Sequence, residues 1–105
     1  MQDSETGSEN LSSATILVTL RNSKGDFHKY ASDNAYQRSL TGYSQELPEG
    51  LYKVHLEGEK SDISAFIGYL EMNRAFDKVD TIAVEDVMVS WSSYSGKYSD
   101  FSVME

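Results

Sequence analysis

The sequence predicts an α+β domain with a split βαβ arrangement, in which two helices pack on one face of a mainly antiparallel sheet of four to five strands. Three features support this prediction. Two segments space their apolar residues as amphipathic helices do, β-rich segments flank each of them, and a Pro-Glu-Gly turn joins two extended segments near the middle of the chain. The predicted order is therefore strand, helix, strand, strand, helix, strand, and a short final strand.

With 105 residues the chain has the length of one domain. Its first thirteen residues contain three acids, four serines and one glycine, and only Met1 and Leu11 among them are large and apolar. Such a segment cannot bury enough apolar surface to offset the entropy that it would lose on ordering. We therefore predict a disordered acidic tail over residues 1–13 and one domain over residues 14–105.

The first predicted strand is Ala14–Leu20, a β-branched and apolar run typical of a buried strand. Turn-forming residues at 22–26 end it. The next segment has the spacing of an amphipathic helix that runs to about Arg38. The apolar stripe of this helix comprises Phe27, Tyr30, Ala31 and Ala35.

A β-hairpin is predicted next. Tyr43–Glu46 and Leu51–Glu57 flank Pro48–Gly50, and Pro at the second position with Gly at the fourth suits a type I turn. In the second arm, apolar and polar residues alternate, which predicts one buried face and one face in water. The polar set is Lys53, His55 and Glu57.

The second helix gives the clearest helical signal in the chain. Ser61 can cap its start, and the apolar residues that follow have the i, i+3, i+4, i+7 spacing of a buried stripe. They are Ile63, Phe66, Ile67 and Leu70. A β-rich segment at Val79–Trp91 and a short strand at Tyr98–Met104 then complete the order of a ferredoxin-like fold.

The charge balance restricts the classes of partner. Nine basic and seventeen acidic residues give a net charge of −8, which repels nucleic-acid backbones and anionic membranes. The chain contains no cysteine, so disulfides and thiolate-bound zinc are excluded, and no cofactor is implied. With no secretory or membrane-spanning segment in the sequence, we expect a cytoplasmic protein whose partner is another protein.

A family resemblance rests on the middle of the chain. Gly42–Glu46, followed by Gly50 and Gly58, has the spacing of the Gly-Trp-Val-x-Asn motif and later glycines of acylphosphatases, enzymes that hydrolyse carboxyl-phosphate anhydrides. Counting back without a gap, the family's Phe-Arg pair falls on Phe27-His28, and Tyr98–Val103 is similar to its closing strand. The chain thus resembles acylphosphatases over roughly residues 15–104.

Two departures from this family concern the catalytic positions. The resemblance places the family's phosphate-binding Arg at His28, and an imidazole cannot make the two-pronged contact of a guanidinium. It places the water-positioning Asn at Glu46, whose carboxylate would repel an acyl phosphate. The family's glycine-rich phosphate loop also retains a single glycine, Gly25, next to Asp26. The resemblance therefore predicts an acylphosphatase-like domain without the usual catalytic pair.

Two candidate sites remain. A substitute anion-binding site would combine Arg21, Lys24, Gly25 and His28 near the start of the first helix. Alternate strand residues share a face, so His55, Glu57 and Glu59 form a weaker metal candidate, which we interpret as an exposed polar face without a metal.

Three functions follow from these observations. The preferred hypothesis is a non-catalytic, acidic protein-interaction or regulatory module, because Tyr and Trp are favoured at protein interfaces and the charge excludes direct attraction to nucleic acid. The first alternative is a divergent acylphosphatase whose substrate is a small acyl phosphate. The second is an acidic inhibitor that mimics nucleic acid by presenting carboxylates at phosphate-like spacing.

Overall fold

The computed structural model describes residues 10–21, 26–76 and 83–104. Within them, two helices pack against one five-stranded sheet. The elements are β1 Leu11–Leu20, α1 Phe27–Gln37, β2 Thr41–Leu47, β3 Leu51–Glu59, α2 Lys60–Phe76, β4 Val84–Ser92 and β5 Phe101–Met104. No helix in these residues is long and apolar enough to cross a membrane.

The strand order confirms the predicted fold class. It is β4-β1-β3-β2-β5, with antiparallel pairing between all neighbours except β2 and β5, which are parallel. The helix between β1 and β2 leaves a gap of one strand, which β3 fills by folding back from β2. The same crossover through α2 places β4 on the other side of β1. Two split βαβ units thus share one sheet.

The core lies between this sheet and the two helices. Ile16 of β1 lies directly opposite Val54 of β3, and both side chains are fully buried. All four residues of the stripe predicted for α1 are buried. In α2, Ile67 is partly buried and the other three predicted residues are fully or almost fully buried. Both helical stripes are therefore confirmed, because a spacing near 3.6 residues places them on the side that faces the sheet.

Each helix start has a defined hydrogen bond. Asp26 caps α1 by accepting a hydrogen bond from the amide of Lys29 at 3.1 Å. Helix α2 starts at Lys60, one residue before the predicted cap Ser61, because β3 continues directly into it. The amide of Lys60 donates instead to the carbonyl oxygen of Asn10, at 2.8 Å.

Three predicted boundaries need correction. Strand β1 begins at Leu11, so the last three residues of the predicted tail belong to the sheet; residues 1–9 lie outside the described residues. Of the strand predicted over Val79–Trp91, the part from Val84 onward is observed, and residues 79–82 also lie outside the described residues. The final strand starts at Phe101 instead of Tyr98, because the segment before it crosses the sheet without regular pairing.

The hairpin turn also differs from the predicted type I turn. Glu49 has φ +66°, whereas a type I turn requires about −90° at that position. Gly50 follows with φ +76°, which glycine adopts without steric strain because it has no Cβ atom. The two left-handed residues in succession are what turn the chain between β2 and β3.

A buried carboxylate, Glu57, holds the connection between β4 and β5 against the sheet. This connection lies on the face opposite the helices, which we name the open face. Glu57 is only 2% exposed, so its assignment to a face in water was wrong. Its carboxylate accepts hydrogen bonds from the hydroxyl of Ser13, from the hydroxyl of Ser95 at 2.7 Å, and from the amides of Ser95 and Gly96 at 3.2 and 2.9 Å. We name residues 93–98 the crossing segment. The segment covers Glu57 and supplies most of its hydrogen-bond donors.

These hydrogen bonds determine the charge state of Glu57. Burial by itself would raise the pKa of this carboxyl group, because a charge is poorly solvated in the interior. The donors from Ser13, Ser95 and Gly96, together with His55, outweigh burial and lower the pKa from 4.5 to about 2. Glu57 is therefore ionised in the folded protein at neutral pH.

The core predicts a large effect of Phe66→Ala. The Phe66 ring is 1% exposed, so its removal should lower the free energy of unfolding by about 3 to 5 kcal/mol through lost burial and a cavity. Urea denaturation followed by circular dichroism measures this change. A loss below about 1 kcal/mol would show that α2 does not pack on the sheet as described.

Gly42 and Gly68 should respond in opposite directions to alanine. At Gly42, φ is +133° and a Cβ atom would overlap the backbone carbonyl of His55, so Gly42→Ala should cost more than about 2 kcal/mol. Gly68 is exposed within α2 with nothing near its Cβ position, so Gly68→Ala should stabilise by about 0.5 to 1 kcal/mol. Thermal unfolding compares the two variants directly. Equal effects would contradict the close contact between β2 and β3.

The Glu57 hydrogen bonds predict a pH-dependent stability. Because folding lowers the pKa of Glu57, ionised Glu57 adds to the free energy of unfolding above about pH 4.5, and this stabilisation is lost as the pH falls toward about 2. Glu57→Gln should cost on the order of 3 kcal/mol at pH 7 and progressively less below pH 4.5. Urea unfolding at several pH values tests this, with Glu59→Gln on the same strand as the control. A cost that stays constant between pH 7 and pH 3 would contradict the assignment.

Candidate functional site

A surface pocket brings together the two residues that the sequence resemblance aligns with the family's catalytic positions. Its volume is about 490 Å³, and His28, Glu46, Leu47, Pro48 and Met104 line it. These residues come from the first turn of α1, the end of β2, the hairpin turn and β5. Although His28 and Glu46 are far apart in the sequence, the fold places both on the wall of one cavity.

His28 is held in one orientation. It follows Phe27, whose ring is buried in the core and anchors the first turn of α1. The Nδ1 atom of His28 shares a hydrogen bond of 2.8 Å with the hydroxyl of Ser44, which is itself fully buried. The imidazole also packs edge-on against the Tyr52 ring, with 5.3 Å between ring centres. With Nδ1 occupied, Nε2 is the ring nitrogen left to contact a ligand.

Glu46 contributes negative charge beside this pocket. It lies opposite Tyr52 in the pairing of β2 with β3. Burial raises the pKa of the Tyr52 hydroxyl, and the negative charges of Glu46 and Asp26 raise it further. The same negative charges disfavour an anion in this region.

The structure separates two of the candidate anion ligands. His28 lines the pocket, whereas the guanidinium of Arg21 donates to the carbonyl oxygen of Val84 at the start of β4, at 3.4 Å. Arg21 is not among the described residues that line the pocket. Lys24 and Gly25 lie outside the described residues. Among the described residues of the predicted anion site, His28 therefore lines the pocket and Arg21 does not.

Two residues of the weaker metal candidate, His55 and Glu57, lie on β3 and contact the crossing segment. His55 Nδ1 bonds to the hydroxyl of Thr15 at 3.0 Å, and Nε2 lies 3.4 Å from a carboxylate oxygen of Glu57. The rings of Tyr43 and Tyr98 pack against the imidazole, with 5.6 and 5.3 Å between ring centres. In the part of the chain that the structure describes, no three side chains form a group that could hold a metal ion. His55 and Glu57 thus bind neighbouring parts of the chain.

Sequence reasoning singled out His28 and Glu46, which line the pocket, but not the residues that contact them. Ser44 gave no signal, because a serine on a strand is common and its partner lies in another element. Glu57 was identified only as a member of an alternating polar set and of the weaker metal candidate. The sequence has no local feature that separates this buried glutamate from the partly buried Glu59 two residues later.

Comparisons with known proteins identify the family. The sequence model of the family described as Acylphosphatase matches residues 23–103. An acylphosphatase of Methanococcoides burtonii is 30% identical over 95 residues, which cover 90% of this chain and 94% of that protein. The solved acylphosphatases of Coxiella burnetii and Bacillus subtilis superpose with TM-scores of 0.77 and 0.75 at 21% and 20% identity. These two alignments cover 99% and 90% of this chain, and 100% and 99% of the solved chains. The resemblance noted in the sequence is thereby confirmed, and the chain belongs to the acylphosphatase family.

Proposed function

We propose that this acylphosphatase-family domain binds another protein and does not hydrolyse acyl phosphates. The observation that supports this proposal is that His28 and Glu46 line the same pocket. By the motif resemblance, these residues stand where the family has its phosphate-binding Arg and its water-positioning Asn. Each replacement weakens a different part of the chemistry.

The replacement at His28 removes a phosphate ligand. A guanidinium presents five N–H donors in a rigid fork and binds a phosphoryl group through two parallel hydrogen bonds. In His28 the Nδ1 atom is already bonded to Ser44, so at most one donor, Nε2–H, remains for a ligand. One preorganised donor fewer at a charge-developing centre typically costs about 100- to 1000-fold in rate.

The replacement at Glu46 adds repulsion. A carboxylate about 4 Å from a phosphoryl oxygen interacts unfavourably by roughly 4 kcal/mol at the effective dielectric constant of a protein surface. The negative field that Glu46 and Asp26 exert on Tyr52 acts in the same direction. A small dianionic substrate would therefore bind this pocket weakly.

The charge of the chain supports a protein as the partner. At a net charge of −8 the domain repels nucleic acids and anionic membranes, whereas a basic protein surface would be attracted to it. The pocket wall combines apolar Leu47, Pro48 and Met104 with polar His28 and Glu46. Such a mixture suits a protein side chain better than a phosphate.

A divergent acylphosphatase is the second candidate. It is favoured by relatives that carry the name acylphosphatase, one of which aligns with 90% of this chain. In that case the anion ligands would have to include Arg21 or Lys24 in place of the family's arginine. This candidate predicts hydrolysis that depends on those two side chains.

An acyl-phosphate assay distinguishes the two candidates. We expect the unmodified protein to hydrolyse benzoyl phosphate at the uncatalysed rate, because two charge-related changes fall in one site. His28→Arg combined with Glu46→Asn should increase the binding of inorganic phosphate, measured by NMR titration, relative to either single variant. Hydrolysis by the unmodified protein well above background, abolished by Arg21→Ala or Lys24→Ala, would contradict the non-catalytic proposal.

A pull-down from native extract addresses the binding role. We expect His28→Ala and Glu46→Gln each to reduce the amount of the captured protein, since both side chains line the pocket. Lys29→Ala is a matched control, because its ammonium forms an exposed ion pair with Asp33 on α1 and does not line the pocket.

A further inference from the structure

The pocket that His28 and Glu46 line has a negative electrostatic environment. Glu46 is exposed near the end of β2, so its carboxylate is accessible to a ligand. The negative charges of Glu46 and Asp26 both act on the hydroxyl of Tyr52, so two carboxylates lie in this region. Among the described residues that line the pocket, none is a lysine or an arginine. The pocket therefore favours a cation over an anion.

The positive end of α1 lies beside the pocket and is already paired with a carboxylate. His28, on the pocket wall, belongs to the first turn of this helix. A helix N-terminus attracts anions because its first amides have no partner within the helix. Here the cap residue Asp26 accepts a hydrogen bond from the amide of Lys29 at 3.1 Å. The chain thus supplies the negative charge that an anionic ligand would otherwise provide.

A metal ion is a poor match for this pocket. Metal ions in proteins bind to sets of several oxygen or nitrogen ligands. Glu46 is the one carboxylate among the described residues of the pocket wall, and no group of three His, Asp or Glu side chains in the described ranges could hold a metal. An organic cation needs only one carboxylate, because it brings several N–H donors of its own.

The rest of the pocket wall suits the stem of a long side chain. It is formed by Leu47, Pro48 and Met104, and Met104 is 45% exposed, so apolar surface remains to be covered. The volume of about 490 Å³ lies within the range of ligand pockets. Long cationic side chains pack their methylene groups along apolar surface while the charged end reaches a polar group. Charge and apolar surface are both present on this wall.

We propose that this pocket binds an arginine side chain of the partner protein, an inference that rests on the proposed function. The guanidinium donates two parallel hydrogen bonds to the carboxylate of Glu46. The methylene stem packs against Leu47, Pro48 and Met104. A lysine would bring a compact, strongly hydrated ammonium, which cannot form the same fork and loses more on leaving water. Arginine is therefore the residue that uses both parts of the wall.

Short peptides test the proposal on the unmodified protein. The probe is acetyl-Gly-Arg-Gly-amide, and matched peptides carry Gln or Lys in place of Arg. In an NMR titration we expect the arginine peptide to bind at least about fivefold more tightly than the glutamine peptide, the effect of one well-formed ion pair near a surface. The amide shifts should be largest for the residues that line the pocket. Equal affinities for Arg and Gln, shifts elsewhere on the domain, or a lysine peptide that binds as tightly would overturn the proposal.

Two glutamates of the same hairpin provide matched variants. Glu46 lines the pocket, whereas Glu49 is exposed on the turn and is not among the residues of the pocket wall. Glu46→Gln and Glu49→Gln each remove one negative charge. We expect Glu46→Gln to lower the affinity for the arginine peptide to that for the glutamine peptide, and Glu49→Gln to change it by less than about twofold. Equal losses in the two variants would show that only the net charge matters and would overturn the proposal.

The outcomes separate this inference from the proposed function. A protein captured from extract through His28 and Glu46, with no preference of the pocket for the arginine peptide, would overturn the inference and leave the proposed function standing. Inorganic phosphate is the second probe in the same titration. Phosphate that binds the unmodified protein more tightly than the arginine peptide, at a site that includes His28, would overturn both.

Discussion

The architecture depends on one buried carboxylate, Glu57, at the centre of the open face. Strands β4 and β5 lie at opposite edges of the sheet, so the chain between them must cross three strands in eight residues. Four interstrand steps of about 4.8 Å span about 19 Å, and eight extended residues reach about 26 to 29 Å. The crossing segment therefore has little slack and must lie against the sheet. Its amides would be desolvated there without acceptors, and Glu57 accepts from two of them.

The pocket depends on this crossing. Strand β5 has four residues and pairs with β2 alone among the described strands, which is too little by itself to hold a chain end in place. Its position also depends on the anchoring of Ser95 and Gly96 a few residues earlier, on the packing of Phe101 against the core and on the hydrogen bond from the Gly42 amide to the Asp100 carbonyl oxygen at 3.0 Å. Met104 of β5 is one wall of the cavity that His28 and Glu46 also line. An interaction on the open face thereby shapes a pocket near the edge of the sheet.

The proposed function rests on the chemistry of the site, since membership in the family does not by itself decide what this chain does. Membership in the acylphosphatase family follows from the matched sequence and the shared fold, but a fold hosts an activity only where specific side chains supply it. In this chain the pocket holds an imidazole bound to Ser44 and a carboxylate. Neither group does what a guanidinium and an amide do for a phosphoryl group. The proposed binding role follows from this difference in donors and charge.

The sequence by itself determined the elements whose signals are local. The stripes of α1 and α2, the hairpin around Pro48–Gly50 and the order of the elements along the chain could all be predicted, because apolar spacing and turn residues act over a few positions. The family resemblance also singled out His28 and Glu46, and the structure shows that both line one pocket. Only the tertiary structure decided that Glu57 is buried, that β1 begins at Leu11 and that Arg21 binds the start of β4. The contacts responsible join residues 38 to 63 positions apart, and such pairings leave no periodic trace in the sequence.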